Sequence, residues 1–228
     1  GQGCTWDKDL IREIGRITGE EARALGYTNV YSPILDVARD PRWGRTVESY
    51  GEDPYLVGEL GRQQVLGIQS NRVVSTPKHF AIYGVPAGGR DCESRTDPHA
   101  TPQEVHELHL EPFRIAFQEA GALGTMCAHN DYNGTPVSAS HYLMTELMRN
   151  QWGFKGYIVS DSWSISKNVD FYHIVSTPEE AVASELNAGL NIRTFFEESE
   201  VFIETLRNAL KKGLVTESTL DQRVREVL

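Results

Sequence analysis

Five apolar segments of this sequence lead into residues that can ionise or form hydrogen bonds. The segments cover residues 30–37, 73–76, 124–129, 156–161 and 190–195, and the polar residues at or beyond their ends include Asp36, Arg45, Lys78, His79, His129, Asp161 and Arg193. Each sugar hydroxyl that is stripped of water needs a hydrogen-bond partner. A polar cluster built from these residues is therefore suited to a ligand that is rich in hydroxyl groups.

Asp161 is the sharpest catalytic candidate, because it closes the apolar stretch Gly-Tyr-Ile-Val-Ser. A carboxylate at the mouth of a buried strand can act as a nucleophile or a base, or it can cap a helix or pair with an arginine. Lys78 and His79 can donate to substrate hydroxyls and keep a carboxylate ionised, or they can belong to a surface turn. Arg45 can bind a ligand or form an internal ion pair with a nearby acidic residue.

The motifs indicate neither a metal site nor a nucleotide site, and we expect no cofactor. His106 and His109 share one face of a predicted helix, but a metal ion would need a third ligand, so we expect helix-surface and packing roles. Cys4, Cys92 and Cys127 are an odd number without a CxxC pair, which argues against a complete disulfide framework and a cysteine-based zinc site. No GxGxxG follows a strand, and the GxxxxGK[ST] and GxSxG motifs are missing from the sequence.

The charge balance narrows the classes of partner. The 228 residues include 22 Lys and Arg against 32 Asp and Glu, which gives a net charge of −10. Such an acidic surface repels phosphates, so neither nucleic acid nor a membrane is expected as a partner. No apolar run reaches the roughly 18–20 residues of a membrane-spanning helix, and the N-terminus has no signal-peptide pattern. Neutral small molecules such as sugars remain open as ligands.

Helical patterns alternate with the apolar segments, which is typical of a parallel sheet covered by helices. Helices are predicted over residues 8–25, 54–68, 102–120, 140–151, 178–188, 199–212 and 217–228. Asp53 with Pro54 starts one of them, and capping boxes at Thr101 and Thr177 start two others. An incomplete or collapsed (β/α) barrel and an open doubly wound sheet both fit five strands. A complete eightfold barrel takes about 250 residues, and three of its units are not found here.

Three stretches of the sequence resemble signature motifs of the family 3 glycoside hydrolases, the β-glucosidase and β-xylosidase group. They are SPILDVARDPRWGRTVESYGEDPYLV at 32–57, TPKHFAIYG at 76–84 and YIVSDSW at 157–163. Residues 88–113, 130–149 and 188–196 resemble one bacterial branch of that family. The similarity extends from Thr5 to Leu228, so the chain is identified as a member over nearly its whole length.

The resemblance implies a TIM-like (β/α) barrel domain with parallel strands, collapsed in some members. It also implies a retaining mechanism through a covalent glycosyl-enzyme, with Asp161 as the nucleophile. The expected substrate-binding residues are Arg45, Lys78, His79, Met126 and His129. His129 stands where many members carry Tyr. Retention needs two carboxyl groups about 5–5.5 Å apart, one to attack the anomeric carbon and one to transfer a proton.

The sequence departs from the family pattern in several places. The general acid/base usually comes from a following αβα domain, and no part of that domain is recognisable here. Many members carry an aromatic residue directly after the nucleophile, where this chain has Ser162 and then Trp163. The loop KHFAIYG differs from the KHFPGHG loop of the N-acetylhexosaminidase branch, which argues against amino-sugar substrates.

The sequence therefore predicts a retaining exo-β-glycosidase that releases terminal β-D-glucose from β-glucosides, with residues 1–228 forming a single domain. Its expected partners are an oligosaccharide or β-glucoside substrate and the C-terminal αβα domain of a longer parent protein. A β-xylosidase with the same machinery is one alternative, because a single CH₂OH group changes binding by only about 1–3 kcal/mol. A noncatalytic sugar-binding domain is the other. A homo-oligomer is one option for the assembly, and the resemblance suggests a periplasmic or secreted location.

Overall fold

Five segments of the chain pair in parallel and in sequence order. In the computed structural model, which describes residues 1–85, 97–196 and 198–228, the paired strands are β1 (Asn29–Val30) with β2 (Val74–Ser75) and β3 (Gly124–Met126) with β6 (Tyr157–Val159). Single parallel bridges join Ile34 to Lys78, Phe80 to Cys127 and Val159 to Ile192. These pairings confirm the predicted α/β class with parallel strands. The described strands are short and form only parts of a sheet.

Helices connect the paired segments. They are α1 (Lys8–Ala24), α2 (Pro54–Gln69), α3 (Pro102–Glu104), α4 (Glu111–Arg114), α5 (Ser164–Asp170), α6 (Pro178–Ala188), α7 (Ser199–Lys211) and α8 (Glu217–Arg225). Wider π-helical turns cover Val105–His109, Ile115–Glu119 and Tyr142–Gln151, and tighter 3₁₀ turns cover Gln2–Thr5, Thr46–Glu48 and Val137–Ala139. In the three ranges that the structure describes, no helix has both the length and the apolar character needed to cross a membrane.

Three helix starts follow the predicted capping chemistry. The Asp53 carboxylate accepts a backbone N–H from the first turn of α2. Thr101 forms a reciprocal capping box with Glu104, and Thr177 forms one with Glu180. Each cap satisfies backbone donors that the first turn of a helix would otherwise leave without a partner. The predicted starts at these three positions are confirmed.

The first two long helices pack backbone against backbone. A Cβ on Gly15 would lie 2.6 Å from the Gln64 carbonyl oxygen, and a Cβ on Gly19 would lie 2.5 Å from that of Ile68. Only glycine allows so close an approach of two backbones. Because β1 follows α1 and β2 follows α2, this packing brings the first two strands together.

A small antiparallel hairpin follows β3 and was not predicted. Its strands β4 (Asp131–Tyr132) and β5 (Thr135–Pro136) are joined by Asn133 and Gly134, whose φ angles are 50° and 74°. Asn-Gly with two positive φ angles is the usual chemistry of a two-residue hairpin turn. The turn signal is present in the sequence, but the strands beside it are too short to show an alternating pattern.

The fifth predicted strand is much shorter than expected. Of the predicted residues 190–195, Ile192 alone forms a bridge, to Val159. The side chain of Asn191 accepts the Ile158 N–H at 2.7 Å, in the place where a longer strand would offer a backbone carbonyl. A second difference lies after Asp161, where the chain forms the unpredicted helix α5.

Glu185 on α6 is a completely buried carboxyl group. Its Oε1 accepts hydrogen bonds from Ser138 Oγ at 2.7 Å and from Asn168 Nδ2 at 2.8 Å. Burial raises the pKa of Glu185 to about 7, and the two hydrogen bonds oppose this only in part. One group whose charge changes near neutral pH therefore joins α5, α6 and the turn at Val137–Ala139.

Replacing Glu185 by Gln should flatten the dependence of stability on pH. A carboxyl group whose pKa is raised by folding stabilises the folded state below its unfolded pKa, and this contribution is lost as pH rises through the folded pKa. From about pH 4 to about pH 8, wild type should lose up to about 3 kcal/mol relative to Glu185→Gln. Urea unfolding at fixed pH values measures this difference, with Glu217→Gln on the exposed side of α8 as the control. Parallel pH profiles for wild type and Glu185→Gln would contradict the assignment.

Candidate active site

Asp161 lies where the ends of three paired segments meet. It follows β6, and its side chain is 16% exposed, so that it can reach a ligand while the strand behind it stays buried. Oδ1 accepts the Ser162 backbone N–H at 2.7 Å. Oδ2 lies 3.3 Å from His129 Nε2 and 3.7 Å from His79 Nε2. The structure thus brings together three of the predicted site residues.

A buried chain of polar groups joins the ends of the first two strand segments. Asp36 accepts hydrogen bonds from His79 Nδ1 at 2.8 Å and from the His79 backbone N–H at 3.2 Å. Arg45 Nη1 lies 2.9 Å from His79 Nε2, and Arg45 also donates to both carboxylate oxygens of Glu48 at 2.7 and 2.8 Å. These hydrogen bonds lower the pKa of Glu48. Arg45 therefore forms an internal ion pair and also reaches the site.

The donors in this chain determine where the ring proton of His79 lies. A guanidinium group can only donate hydrogen bonds, so His79 Nε2 accepts from Arg45 and carries a lone pair. The ring proton then lies on Nδ1 and points to the Asp36 carboxylate. His79 consequently turns no proton toward Asp161, although its Nε2 lies close to that carboxylate.

Lys78 brings a partly buried ammonium group to the same cluster. Burial lowers the pKa of Lys78 and the charge on Arg45 lowers it further, whereas the charge on Asp161 opposes the shift. Its Nζ lies 6.0 Å from the centre of the Tyr31 ring. Nζ makes no hydrogen bond or ion pair with any residue that the structure describes, so the ammonium group is available to a ligand.

Met126 lies apart from this polar cluster. It is 3% exposed and packs with Tyr157 and Val159 of β6 in a small apolar cluster of its own. The structure places it on β3, where it pairs with Val159 of β6, two residues before Asp161. Contact of Met126 with a substrate stays a prediction.

Arg193 also lies apart, against aromatic rings. Its guanidinium carbon lies 4.2 Å from the centre of the Phe202 ring and 5.1 Å from that of the Phe195 ring. Trp163 packs edge-on against Phe195 with ring centres 4.5 Å apart, and it is 42% exposed. An exposed aromatic side chain therefore lies two residues after Asp161, whereas many members of the resembled family carry one directly after the nucleophile.

Three residues that support the cluster were missed by the sequence analysis. The Tyr83 ring centre lies 5.0 Å from that of His79. Ser164 Oγ lies 3.4 Å from His129 Nδ1, and the Tyr172 hydroxyl donates to the His129 carbonyl oxygen. Tyr83 belongs to the quoted stretch at 76–84 and could have been found there. Ser164 and Tyr172 lie on α5 or just beyond it, and nothing in the sequence pattern signalled them.

His106 and His109 of the third helical segment differ in their surroundings. Burial lowers the pKa of His109 to about 4, so it is a neutral, packed side chain, whereas His106 is exposed. The predicted packing and surface roles are confirmed. Within residues 1–85, 97–196 and 198–228, no group of three or more His, Cys, Asp or Glu could hold a metal ion. Cys92 and the motif residues 88–96 lie outside the described residues.

Comparison with known proteins assigns the whole chain to one family. The sequence model of the glycosyl hydrolase family 3 N-terminal domain matches residues 1–228. The chain belongs to glycosyl hydrolase family 3. This confirms the family that the three motifs indicated. It also makes the cluster around Asp161 part of a glycoside hydrolase domain.

The family 3 domain resembles enzymes of two kinds. It is 38% identical to a β-xylosidase of Formosa agariphila over 82% of this chain and 27% of that protein. It is 32% identical to a periplasmic β-glucosidase of Salmonella typhimurium over 100% of this chain and 30% of that protein. It superposes on a β-glucosidase from Erythrobacter marinus with a TM-score of 0.89 at 33% identity, over 98% of this chain and 30% of that chain. The chain thus spans less than a third of the length of each relative.

Replacing Asp36 by Asn should destabilise the protein by about 1–3 kcal/mol, because the buried His79 donors lose a charged acceptor. Asp40→Asn is the matched control. Asp40 pairs at 2.6 Å with Arg42, whose side chain is 79% exposed, so solvent screens this pair and its loss should change stability far less. Urea unfolding at pH 7 compares the two variants. If Asp36→Asn were as stable as Asp40→Asn, the buried hydrogen bonds between Asp36 and His79 would not stabilise the fold.

Proposed function

We propose that the full-length protein is a retaining exo-β-glycosidase that releases terminal β-D-glucose, with Asp161 as its nucleophile. The observation that carries the proposal is the environment of Asp161, a partly exposed carboxylate that faces two imidazoles and the charge of Lys78. A carboxylate attacks carbon in its ionised form, and the neighbouring positive charge is attracted to that form. The family and the names of the relatives support the same reaction.

The proposed reaction has two steps. An oxygen of Asp161 attacks the anomeric carbon while the bond to the leaving oxygen breaks, and a proton donor protonates that oxygen. Water, deprotonated by the same group, then attacks the anomeric carbon and returns Asp161 to its carboxylate form. We propose that the donor lies in an αβα domain that follows this one in the full-length protein. The short span of this chain against its relatives is compatible with that placement.

The contacts within the polar cluster suggest different roles for the residues that are proposed to bind the sugar. Lys78 has an ammonium group available, and Arg45 uses three of its five N–H groups on His79 and Glu48, which leaves two for a sugar. His79 has no free N–H, so it could bind a hydroxyl only by accepting at Nε2 in place of Arg45. Met126 is proposed as an apolar contact.

The architecture proposed for the complete domain is a TIM-like barrel. Its support is the order of the pairings, in which each segment is joined in parallel to the next along the chain. Strands beyond those formed by the described residues would complete the barrel. Polar residues then follow the carboxyl ends of the strands, where barrel enzymes place their sites.

The β-xylosidase alternative keeps the same machinery. One relative is named a β-xylosidase and another a β-glucosidase, at similar identity. The two substrates differ by one CH₂OH group, which changes binding by only about 1–3 kcal/mol in a pocket. Comparison of kcat/KM for aryl β-glucosides and aryl β-xylosides decides between the two names without changing the mechanism.

Asp161→Asn should lower kcat of the full-length protein on an aryl β-glucoside by about 10⁴-fold or more, because no other group can form the ester. Asp131→Asn, a carboxylate on the nearby hairpin, is the control and should stay within about tenfold of wild type. Azide added to Asp161→Gly should restore turnover and give an α-glycosyl azide, since azide attacks where the carboxylate is missing.

Two outcomes would overturn the proposal. Near-normal turnover by Asp161→Asn would remove Asp161 from the mechanism. A wild-type protein that binds glucose but hydrolyses neither glucosides nor xylosides would support the noncatalytic sugar-binding alternative.

A further inference from the structure

We propose that His129 is a positioning residue that donates through Nε2 to Asp161 and fixes the plane of the attacking carboxylate. The inference rests on the proposed role of Asp161 as nucleophile. It changes the role of His129 from a sugar contact to a partner of the reacting group. The role of His129 depends on which nitrogen of each nearby imidazole carries a proton.

Both oxygens of Asp161 have a neighbour. Oδ1 accepts the Ser162 N–H at 2.7 Å, and Oδ2 lies 3.3 Å from His129 Nε2. With Oδ2 also accepting from His129 Nε2, as proposed, the carboxylate cannot rotate freely about its Cβ–Cγ bond. Productive attack on carbon requires such alignment, because reacting groups must meet in a narrow range of geometry.

The two imidazoles near Oδ2 carry their protons on different nitrogens. His79 Nε2 accepts from Arg45, so it presents a lone pair to Oδ2 at 3.7 Å. His129 Nδ1 faces Ser164 Oγ at 3.4 Å, and a hydroxyl can donate to it. Because a carboxylate only accepts, the arrangement that satisfies these two ring contacts places the His129 proton on Nε2. Of these two imidazoles, His129 is therefore the donor to Asp161.

The surroundings of His129 hold its ring in place. Its side chain is 4% exposed, and its carbonyl oxygen accepts from the Tyr172 hydroxyl. Ser164, the first residue of α5, donates its backbone N–H to the Asp161 carbonyl oxygen at 3.3 Å. Contacts thus run from Asp161 to His129, from His129 to Ser164 and back to Asp161. The end of β3, the end of β6 and the start of α5 are tied into one ring of contacts.

Two variants of the full-length protein separate positioning from sugar binding. In His129→Gln the side-chain amide can place an N–H near the position of Nε2, whereas in His129→Asn it reaches only the position of Nδ1. On an activated aryl β-glucoside, we expect His129→Gln to keep kcat within about tenfold of wild type and His129→Asn to lose about 10²-fold. KM and the inhibition constant for glucose should stay within about threefold in both. Circular dichroism and thermal unfolding establish that both variants fold.

The support from Ser164 gives a second, independent readout. Ser164→Ala should lower kcat by about three- to tenfold, and it should add nothing to the loss in His129→Asn, because both changes break the same ring of contacts. Ser166→Ala, two residues along the same helix, is the control and should leave kcat unchanged. Equal kcat losses in the Gln and Asn variants, or full additivity with Ser164→Ala, would overturn the proposal.

The remaining outcomes are also decisive. A rise in KM and in the glucose inhibition constant at constant kcat would show that His129 binds the sugar and does not position Asp161. An active Asp161→Asn variant would remove the proposed function itself. An inactive Asp161→Asn together with a normal His129→Asn would leave Asp161 as nucleophile and overturn only the positioning role.

Discussion

The Asp36 carboxylate is the constraint on which the site depends. It is 3% exposed, and an ion removed from water this far is costly unless donors surround it. The donors come from His79, one residue beyond the bridge between Ile34 and Lys78. The pairing that satisfies Asp36 thus orients the His79 ring, and the His79 ring in turn receives Arg45. One set of hydrogen bonds therefore fixes the positions of the first two strand ends and of the segment around Arg45.

His79 Nε2 and His129 Nε2 both lie close to Asp161 Oδ2, but this arrangement gives the two histidines different roles. His79 is locked with its proton toward Asp36, so it shapes the site without donating to Asp161. His129 also presents Nε2 to Asp161, at 3.3 Å, and under our proposal this nitrogen carries the proton. Met126 and Val159, in contrast, pack together in an apolar cluster on β3 and β6. A hydroxyl-rich ligand would meet the donors and acceptors that these strand ends present at one edge.

Much of this could be predicted from the sequence, where local rules decide the outcome. The helix starts at Asp53, Thr101 and Thr177 follow from capping chemistry. The strand ends that carry His79 and Asp161 follow from apolar segments that alternate with helical patterns along the chain. The contact of Asp36 with His79 could not be predicted, because it depends on the register between two strands that are 43 residues apart.

Other features were out of reach because tertiary packing decides them. Arg193 stacks on Phe202 of α7, an apolar neighbour that only the packing of distant elements supplies. Glu185 looks like an ordinary helix-surface residue until α5 covers it. The strand expected at 190–195 is cut short because Asn191 uses its side chain where a backbone carbonyl would continue the ladder. The Asn133-Gly134 turn, in contrast, was readable and was overlooked.

The central claim is that Asp161 attacks the sugar, and covalent trapping tests it most directly. A 2-deoxy-2-fluoro-β-glucoside with a good leaving group slows the second step, so the glycosyl-enzyme accumulates on the full-length protein. Mass spectrometry of the digested protein should then find one added sugar on the peptide that contains Tyr157 to Trp163, at Asp161. A label on Asp131 or Asp36 would contradict the account.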